Sequence, residues 1–301
     1  MVRITRLTAA LILVSFIWGC SDNDDEGLLE PGLELQLAKL SASLGSAEHS
    51  VNDDLLRKLL NNELDSEPFY LADYVRLAEH ESAASELDFY ISEEATLLKL
   101  VGAQLVLDNV IFNHVTSDDN IPWDRHRVIY FPNPQAFTDL ITHPSYADLM
   151  ATKHGAAGEI RGLWLNVRLS REAIEDDANK AEFYMLNLSK HREMALYPDG
   201  TSRGLTGEEA NGIYGTVMLT QVLPSIGAYP VLAGDVTQHY MGADGDWETY
   251  ATVRYPSNAD LVMMTTSDAF QAIFPNKGAG LEKNISMMSH STLDPPIILI
   301  G

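Results

Sequence analysis

Cysteine occurs once in these 301 residues, at position 20. An intrachain disulfide is therefore impossible, and so is a metal site built from several thiolates. Basic residues are scarce as well: 20 Lys and Arg stand against 43 Asp and Glu, for a formal net charge of −23. Nucleic acid and anionic lipid headgroups are bound by neutralising phosphate with Lys and Arg, so a surface of this kind repels both. Acidity of this degree suits solubility in an exposed compartment, or a surface that recruits a basic protein partner. The chain has no phosphate-cradling glycine loop, no His-Glu-x-x-His and no His/Cys cluster, so no cofactor and no metal are expected. Three partial motifs fail on context. Gly200-Thr201-Ser202-Arg203-Gly204 has the spacing of a nucleophile elbow, but it follows Tyr197-Pro198-Asp199 in a loop instead of joining a strand to a helix. Asp22, Asp24, Glu26 and Gly27 start like a calcium loop, yet the twelfth position is Leu33 and no helix precedes. Asp244, Asp246 and Glu248 alternate around Gly245, the composition that a hairpin turn also requires.

The single cysteine is explained by what precedes it. Arg3 and Arg6 form a positive start, Leu7 to Trp18 is an apolar run too short for a comfortable membrane span, and Ile17-Trp18-Gly19-Cys20 follows. This resembles the lipobox of bacterial lipoproteins, with Trp18 where a small residue is usual. The resemblance implies a signal peptide over residues 1–19, cleavage before Cys20, and diacylglycerol on its sulfur. Each buried CH₂ contributes roughly 0.8 kcal/mol, so several acyl chains anchor durably where one would not. Ser21, rather than Asp, after the cysteine resembles outer-membrane sorting. The expected location is the bacterial cell envelope, with the membrane as partner through Cys20.

Residues 20–66 then divide into an acidic tether and two short helices. Asp22-Asn23-Asp24-Asp25-Glu26-Gly27 has no apolar periodicity. Leu33, Leu37, Leu40 and Leu44 keep helical spacing up to Gly45, and Leu55, Leu56, Leu59 and Leu60 follow the capping run Asn52-Asp53-Asp54. The pair is expected to lie on the folded body, to hold it off the membrane as a hairpin, or to meet a protein partner.

The remainder repeats itself. Trp123-Asp124 leads through an apolar run to Phe131-Pro132, and Trp247-Glu248 leads at the same spacing to Tyr255-Pro256. Residues 67–170 read as strand (Phe69–Leu77), helix opened by Ser92-Glu93-Glu94, strand (Ala103–Asn113), strand (His126–Phe131), helical region and strand (Glu159–Leu169). After a linker over 171–180, residues 181–301 run in the same order. Phe183-Tyr184 stands for Phe69-Tyr70, Thr206-Gly207-Glu208-Glu209 is a capping box, and Lys277-Gly278-Ala279-Gly280 echoes Lys153-His154-Gly155-Ala156. Both halves are βαββαβ, and two such α+β ferredoxin-like units can cover each other's bare sheet face within one chain.

Three segments carry a family resemblance: Phe183 to Arg192, Leu205 to Ala210 with Tyr214-Gly215, and Val253-Arg254-Tyr255-Pro256-Ser257. They resemble a bacterial family of unknown function in the dimeric α+β barrel superfamily, over nearly all of the second repeat and part of the first. That superfamily packs two ferredoxin-like units sheet to sheet, usually as a homodimer. It includes cofactor-free monooxygenases, isomerases, haem proteins and modules that only bind, so the resemblance implies a fold and leaves the reaction open.

Candidate site residues come from the polar positions. Asn187 shares a strand face with Phe183, Met185, Ser189 and His191, and Arg254 sits in an apolar strand, where a guanidinium needs a carboxylate or an anionic ligand. Asp73 and Tyr130 stand at these places in the first repeat, so the halves diverge where chemistry would lie. A single pocket in the second repeat is expected, lined or supported by Asn187, Arg254, Tyr214 and Trp247 and binding a small, partly apolar molecule. The alternatives are a cofactor-independent monooxygenase or isomerase acting on an enolisable substrate, and a non-catalytic envelope scaffold. His154, His126 and His239 are candidates for proton transfer, and each is equally the kind of histidine that serves only structure.

Overall fold

The computed structural model describes residues 31–171, 182–242 and 246–293. The signal sequence, Cys20, the acidic tether, nearly all of the 171–180 linker and Asp244 lie outside the described residues.

Two helices come first, α1 (Pro31–Leu44) and α2 (Asp53–Leu60). The α2 start is capped as its sequence requires, Asn52 Oδ1 accepting from the Leu55 N–H at 3.1 Å. The first repeat follows as β1 (Phe69–Leu77), α3 (Ala83–Leu100), β2 (Gln104–Ser117), β3 (Arg125–Phe131), α4 (Pro134–Ile141), α5 (Tyr146–Ala156) and β4 (Ala157–Ser170). The second is β5 (Phe183–His191), α6 (Gly207–Val217), a π-helical turn (Met218–Val222) running into α7 (Leu223–Ser225), β6 (Tyr229–Gly242), β7 (Thr249–Tyr255), α8 (Asn258–Thr266), α9 (Asp268–Gly280) and β8 (Leu281–Ser291). The Thr206 capping box is formed: Thr206 Oγ1 accepts from the Glu209 N–H at 3.1 Å, and Glu209 Oε2 accepts from the Thr206 N–H at 2.8 Å.

All eight of these strands close one antiparallel barrel in the order β1-β3-β2-β8-β5-β7-β6-β4. Each repeat contributes a four-stranded sheet, and the seams are β2 against β8 and β4 against β6. Closure leaves neither sheet with an open edge. Two boundaries differ from the sequence expectation. Helix α3 opens at Ala83, well before Ser92, because Ser92-Glu93-Glu94 is the middle of the helix; Glu94 faces inward, where a buried charge partner awaits it. Strand β2 runs on to Ser117 because its second half leaves its own sheet and pairs with β8, from Asn109↔Ser291 to Ser117↔Ile285.

The repeated Trp-acidic motif has one job in both copies. Asp124 Oδ2 accepts the Leu77 N–H at 2.8 Å and Glu248 Oε2 accepts the His191 N–H at 2.9 Å, so each carboxylate satisfies the last backbone donor of its repeat's first strand. Strand alternation sorts the rest. Tyr70, Ala72 and Tyr74 of β1 and Tyr184, Leu186 and Leu188 of β5 point into the barrel, which their side chains fill together with Trp123, Leu163, Tyr250 and Met287. The odd positions face the helices and form one core per repeat. Helices α1 and α2 lie on the first repeat: Leu37, Leu40, Leu44, Leu55, Leu56 and Leu59 join Phe69, Phe131 and Phe137 in its core. Each leucine so buried contributes about 1.5–3 kcal/mol. No described helix is long and apolar enough to cross a membrane.

Candidate functional site

The layer between sheet and helices has a different chemistry in each repeat. In the first, Asp73 on β1 lies opposite Arg127 on β3, and both face the helices. Lys153 of α5 donates to both Asp73 oxygens, at 2.7 and 2.8 Å, while Arg127 reaches Asp73 at 3.4 Å and also pairs with Glu94 of α3. Tyr90 donates to Glu94, and Tyr146 does so at 3.4 Å. All four charges are buried, none more than 5% exposed. Burial alone would raise the Glu94 carboxyl, but the charges of Arg127 and then Lys153 outweigh it and hold Glu94 below the usual carboxylate range. Two acids and two bases cancel, so this layer is closed upon itself.

The second repeat keeps the frame and loses the charges. Lys277 stands on α9 where Lys153 stands on α5, and Tyr214 stands on α6 where Tyr90 stands on α3. The correspondence is geometric as well as sequential: Lys153 Nζ lies 5.4 Å from the Tyr90 ring centroid, and Lys277 Nζ lies 5.7 Å from that of Tyr214. Around this conserved pair Asp73 has become Asn187, Arg127 has become Ala251, Glu94 has become Met218 and Tyr146 has become Phe270. Asn187 does not replace the lost carboxylate, since its Oδ1 accepts from Ser286 at 2.9 Å and its amide is directed to the Met185 carbonyl at 3.4 Å. No carboxylate lies within ion-pair distance of Lys277 among the described residues. Desolvation beside the Tyr214 ring lowers its ammonium to about 8. The side chain as a whole is only partly buried, so the amine is close to neutral-pH chemistry and still within reach from outside.

Local sequence explains how the pair is held. Glycines at the start of α6 and the end of α9 let the two helices touch: a Cβ on Gly280 would lie 2.5 Å from the Gly207 carbonyl oxygen. The π-helical turn after Tyr214 inserts one residue relative to α3, so Tyr214 matches Tyr90 before the turn while Leu223 matches Leu98 after it.

The four residues expected to share a pocket do not converge. Tyr214 and Asn187 face the helix layer. Arg254 pairs in register with Tyr184, so it lies on the opposite, barrel-facing side, where Glu182 Oε2 accepts from its Nε at 2.9 Å and its Nη2 at 2.6 Å. Trp247 precedes the other end of β7, about 23 Å away along an extended strand. It lies in the barrel core with Arg161 5.4 Å over its ring, while Trp123 holds the other approach to that guanidinium at 4.8 Å. Strand alternation separates Asn187 from Arg254, because their register partners, Ala251 and Tyr184, belong to opposite faces. Lys277 was the residue missed by sequence reasoning, although its echo of Lys153 and the change of Asp73 to Asn187 were both visible.

The histidines have structural partners. His154 Nε2–H donates to the Leu44 carbonyl at 2.8 Å, leaving Nδ1 to face His49 Nδ1 at 3.1 Å, so the pair pins the end of α1 to α5. With both nitrogens engaged, His154 has no free nitrogen for proton transfer to a ligand. His126 is fully buried inside the barrel against Tyr250 at 3.2 Å, and burial lowers it to about 3. The His239 backbone carbonyl accepts from Asn52 Nδ2 at 2.7 Å, a contact that seats α2. Asp246 pairs with Lys190 and with Lys283 at 3.1 Å, and among the described residues no group of three His, Cys, Asp or Glu could hold a metal ion.

No family model matches the sequence, and no curated protein matches it either. Several solved structures superpose on it in part. A candidate monooxygenase of Lactobacillus acidophilus superposes with a TM-score of 0.45 and 13% identity over 78% of this chain and 100% of its own. Another from Fusobacterium nucleatum gives 0.46 and 12% over 78% of this chain and 99% of its own. A protein of unknown function from Rhodopseudomonas palustris gives 0.34 and 24% over 42% of this chain and 100% of its own. In this chain the eight-stranded antiparallel barrel closes within a single polypeptide.

Proposed function

We propose that this chain is a cell-envelope protein, anchored through lipid on Cys20, whose second repeat binds a small, partly apolar molecule between sheet and helices. One observation carries the reading: Lys277 over Tyr214 lies in an apolar layer without the counter-charges that its counterpart Lys153 possesses. Desolvation weakens this half-buried ammonium, and perturbed groups of this kind gather at functional sites. Met185, Met218 and Met288 in the same core give it the adaptable surface suited to a flexible guest. Of the residues first proposed for the site, Tyr214 and Asn187 stay with it, whereas Arg254 and Trp247 support the barrel wall.

Native mass spectrometry of protein extracted from membranes tests binding. The expected result is a co-purifying small molecule that is lost in Lys277→Met while the variant still unfolds cooperatively. Absence of any such mass in the wild type would sink the reading. Intact mass under denaturing conditions tests the anchor, which requires diacylglycerol on a chain beginning at Cys20.

The low ammonium of Lys277 also favours a second reading, an isomerase or cofactor-independent oxygenase in which the neutral amine removes a proton from an enolisable substrate. Turnover that follows Lys277 deprotonation, rising near pH 8, would support it. The scaffold reading draws on the side-chain-filled barrel. It leaves the acidic surface as the contact for a basic protein, since the apolar faces of α1 and α2 are already covered by the first repeat.

A further inference from the structure

The first repeat contains a pattern for what the second lacks. There, the lysine that rises from the end of the last helix toward a tyrosine ring is completed by a carboxylate, gripped by both oxygens at 2.7 and 2.8 Å. In the second repeat the lysine and the tyrosine keep their relation within a few tenths of an ångström, while the carboxylate is gone and Asn187 is tied to Ser286 instead. The other changes all run one way. Arg127 to Ala251 and Tyr146 to Phe270 remove a bulky cation and a hydroxyl, and Glu94 to Met218 removes the second acid. What remains is a half-buried cation beside an apolar core, without the carboxylate that completes its counterpart.

We propose that the second repeat binds a carboxylate-bearing amphiphile, whose head group pairs with Lys277 as the Asp73 carboxylate pairs with Lys153 and whose apolar body lies against the methionine- and phenylalanine-lined core. This rests on the small-molecule reading above and narrows it to one class. An ammonium–carboxylate pair out of bulk water is a charge-assisted bond, strong enough to select an acid over its uncharged analogue. Phosphates and sulfates fit less well, because their three terminal oxygens ask for a cluster of cations, whereas the pattern set by Lys153 and Asp73 is one ammonium on one carboxylate. The aromatic face of Tyr214 beneath the ammonium adds a further attraction for the charged form. Its hydroxyl, raised to about 12 by burial, stays protonated and so does not oppose an anionic guest.

The experiment uses the purified full chain, octanoate as the probe and octanol as its uncharged counterpart, with binding followed by isothermal titration calorimetry. Octanoate should bind at least about tenfold more tightly than octanol, the difference expected for one hydrogen bond to a charged group. Asn187→Asp, which rebuilds the carboxylate of the first repeat, should abolish octanoate binding with no loss of thermal stability, and Lys277→Met should erase the preference for the acid. Near pH 8.5, octanoate binding should also draw a proton from the buffer, because pairing restores the ammonium that burial weakens. If octanol binds as well as octanoate, the carboxylate class is overturned while small-molecule binding survives. If neither probe binds and no small molecule co-purifies, both readings fall. Undiminished octanoate binding to Asn187→Asp would place the acid elsewhere and overturn the assignment to Lys277.

Discussion

The two repeats are one fold worked in two chemistries. Between sheet and helices the first repeat encloses two acids and two bases in mutual contact, while the second keeps only a lysine and a tyrosine ring in the same relation. The outer faces differ in the same sense. Helices α1 and α2 cover the first repeat, so Met150 on α5 is 1% exposed, whereas the matching Phe274 on α9 is 48% exposed. One copy is satisfied internally and capped; the other retains an unpaired charge and an open flank.

The sharpest break of that contrast is Glu94→Gln. It leaves Arg127 buried with too little counter-charge, and chemical denaturation should show a loss of about 3–5 kcal/mol. A loss below about 1 kcal/mol would mean the four charges are not coupled. Acid should be the next largest perturbation. Burial holds His126 near 3 in the folded chain against 6.5 for an ordinary imidazole. The unfolded chain therefore binds this proton first, so stability is intact above about pH 6.5 and falls as pH drops towards 3. Denaturation midpoints across that window should fall less steeply in His126→Phe, and an unchanged slope would remove His126 as the cause. Gly280→Ala is expected to cost about 1–3 kcal/mol by forcing α6 away from α9. Because this moves Tyr214 from Lys277, it should weaken ligand binding too. A variant of full stability would show that the helices have room to spare.

Arg254→Ala should cost less, about 1–2 kcal/mol, because its partner Glu182 is partly exposed and water can replace the bond. Cooperative unfolding is expected to persist; its loss would make the Arg254–Glu182 pair a requirement of the barrel.

Much of this was legible in the chain. The Trp-acidic motif, the alternating strands and the capping residues Asn52 and Thr206 are local signals, and each forms the element it announces. The misjudged start of α3 shows the limit of such signals. Ser92-Glu93-Glu94 has the composition of a helix N-terminus, and only the position of Arg127 on a neighbouring strand reveals why an acid is buried there. The proposed site fared similarly. Both copies of the lysine could be aligned by eye, but Lys153 and Lys277 look equally exposed in sequence, since nothing local says which of them has a carboxylate waiting.

By itself the sequence determined the duplicated βαββαβ order, because strand and helix periodicity and caps act over a few residues. The tertiary structure alone decided that β2 crosses to β8 and β4 to β6, since closure depends on edges far apart in the chain. It also decided that Asn187 and Arg254 face opposite ways, through the register of β5 on β7. Above all it decided which lysine is paired, because desolvation and ion pairing depend on the atoms a side chain meets when the helices come down on the sheet.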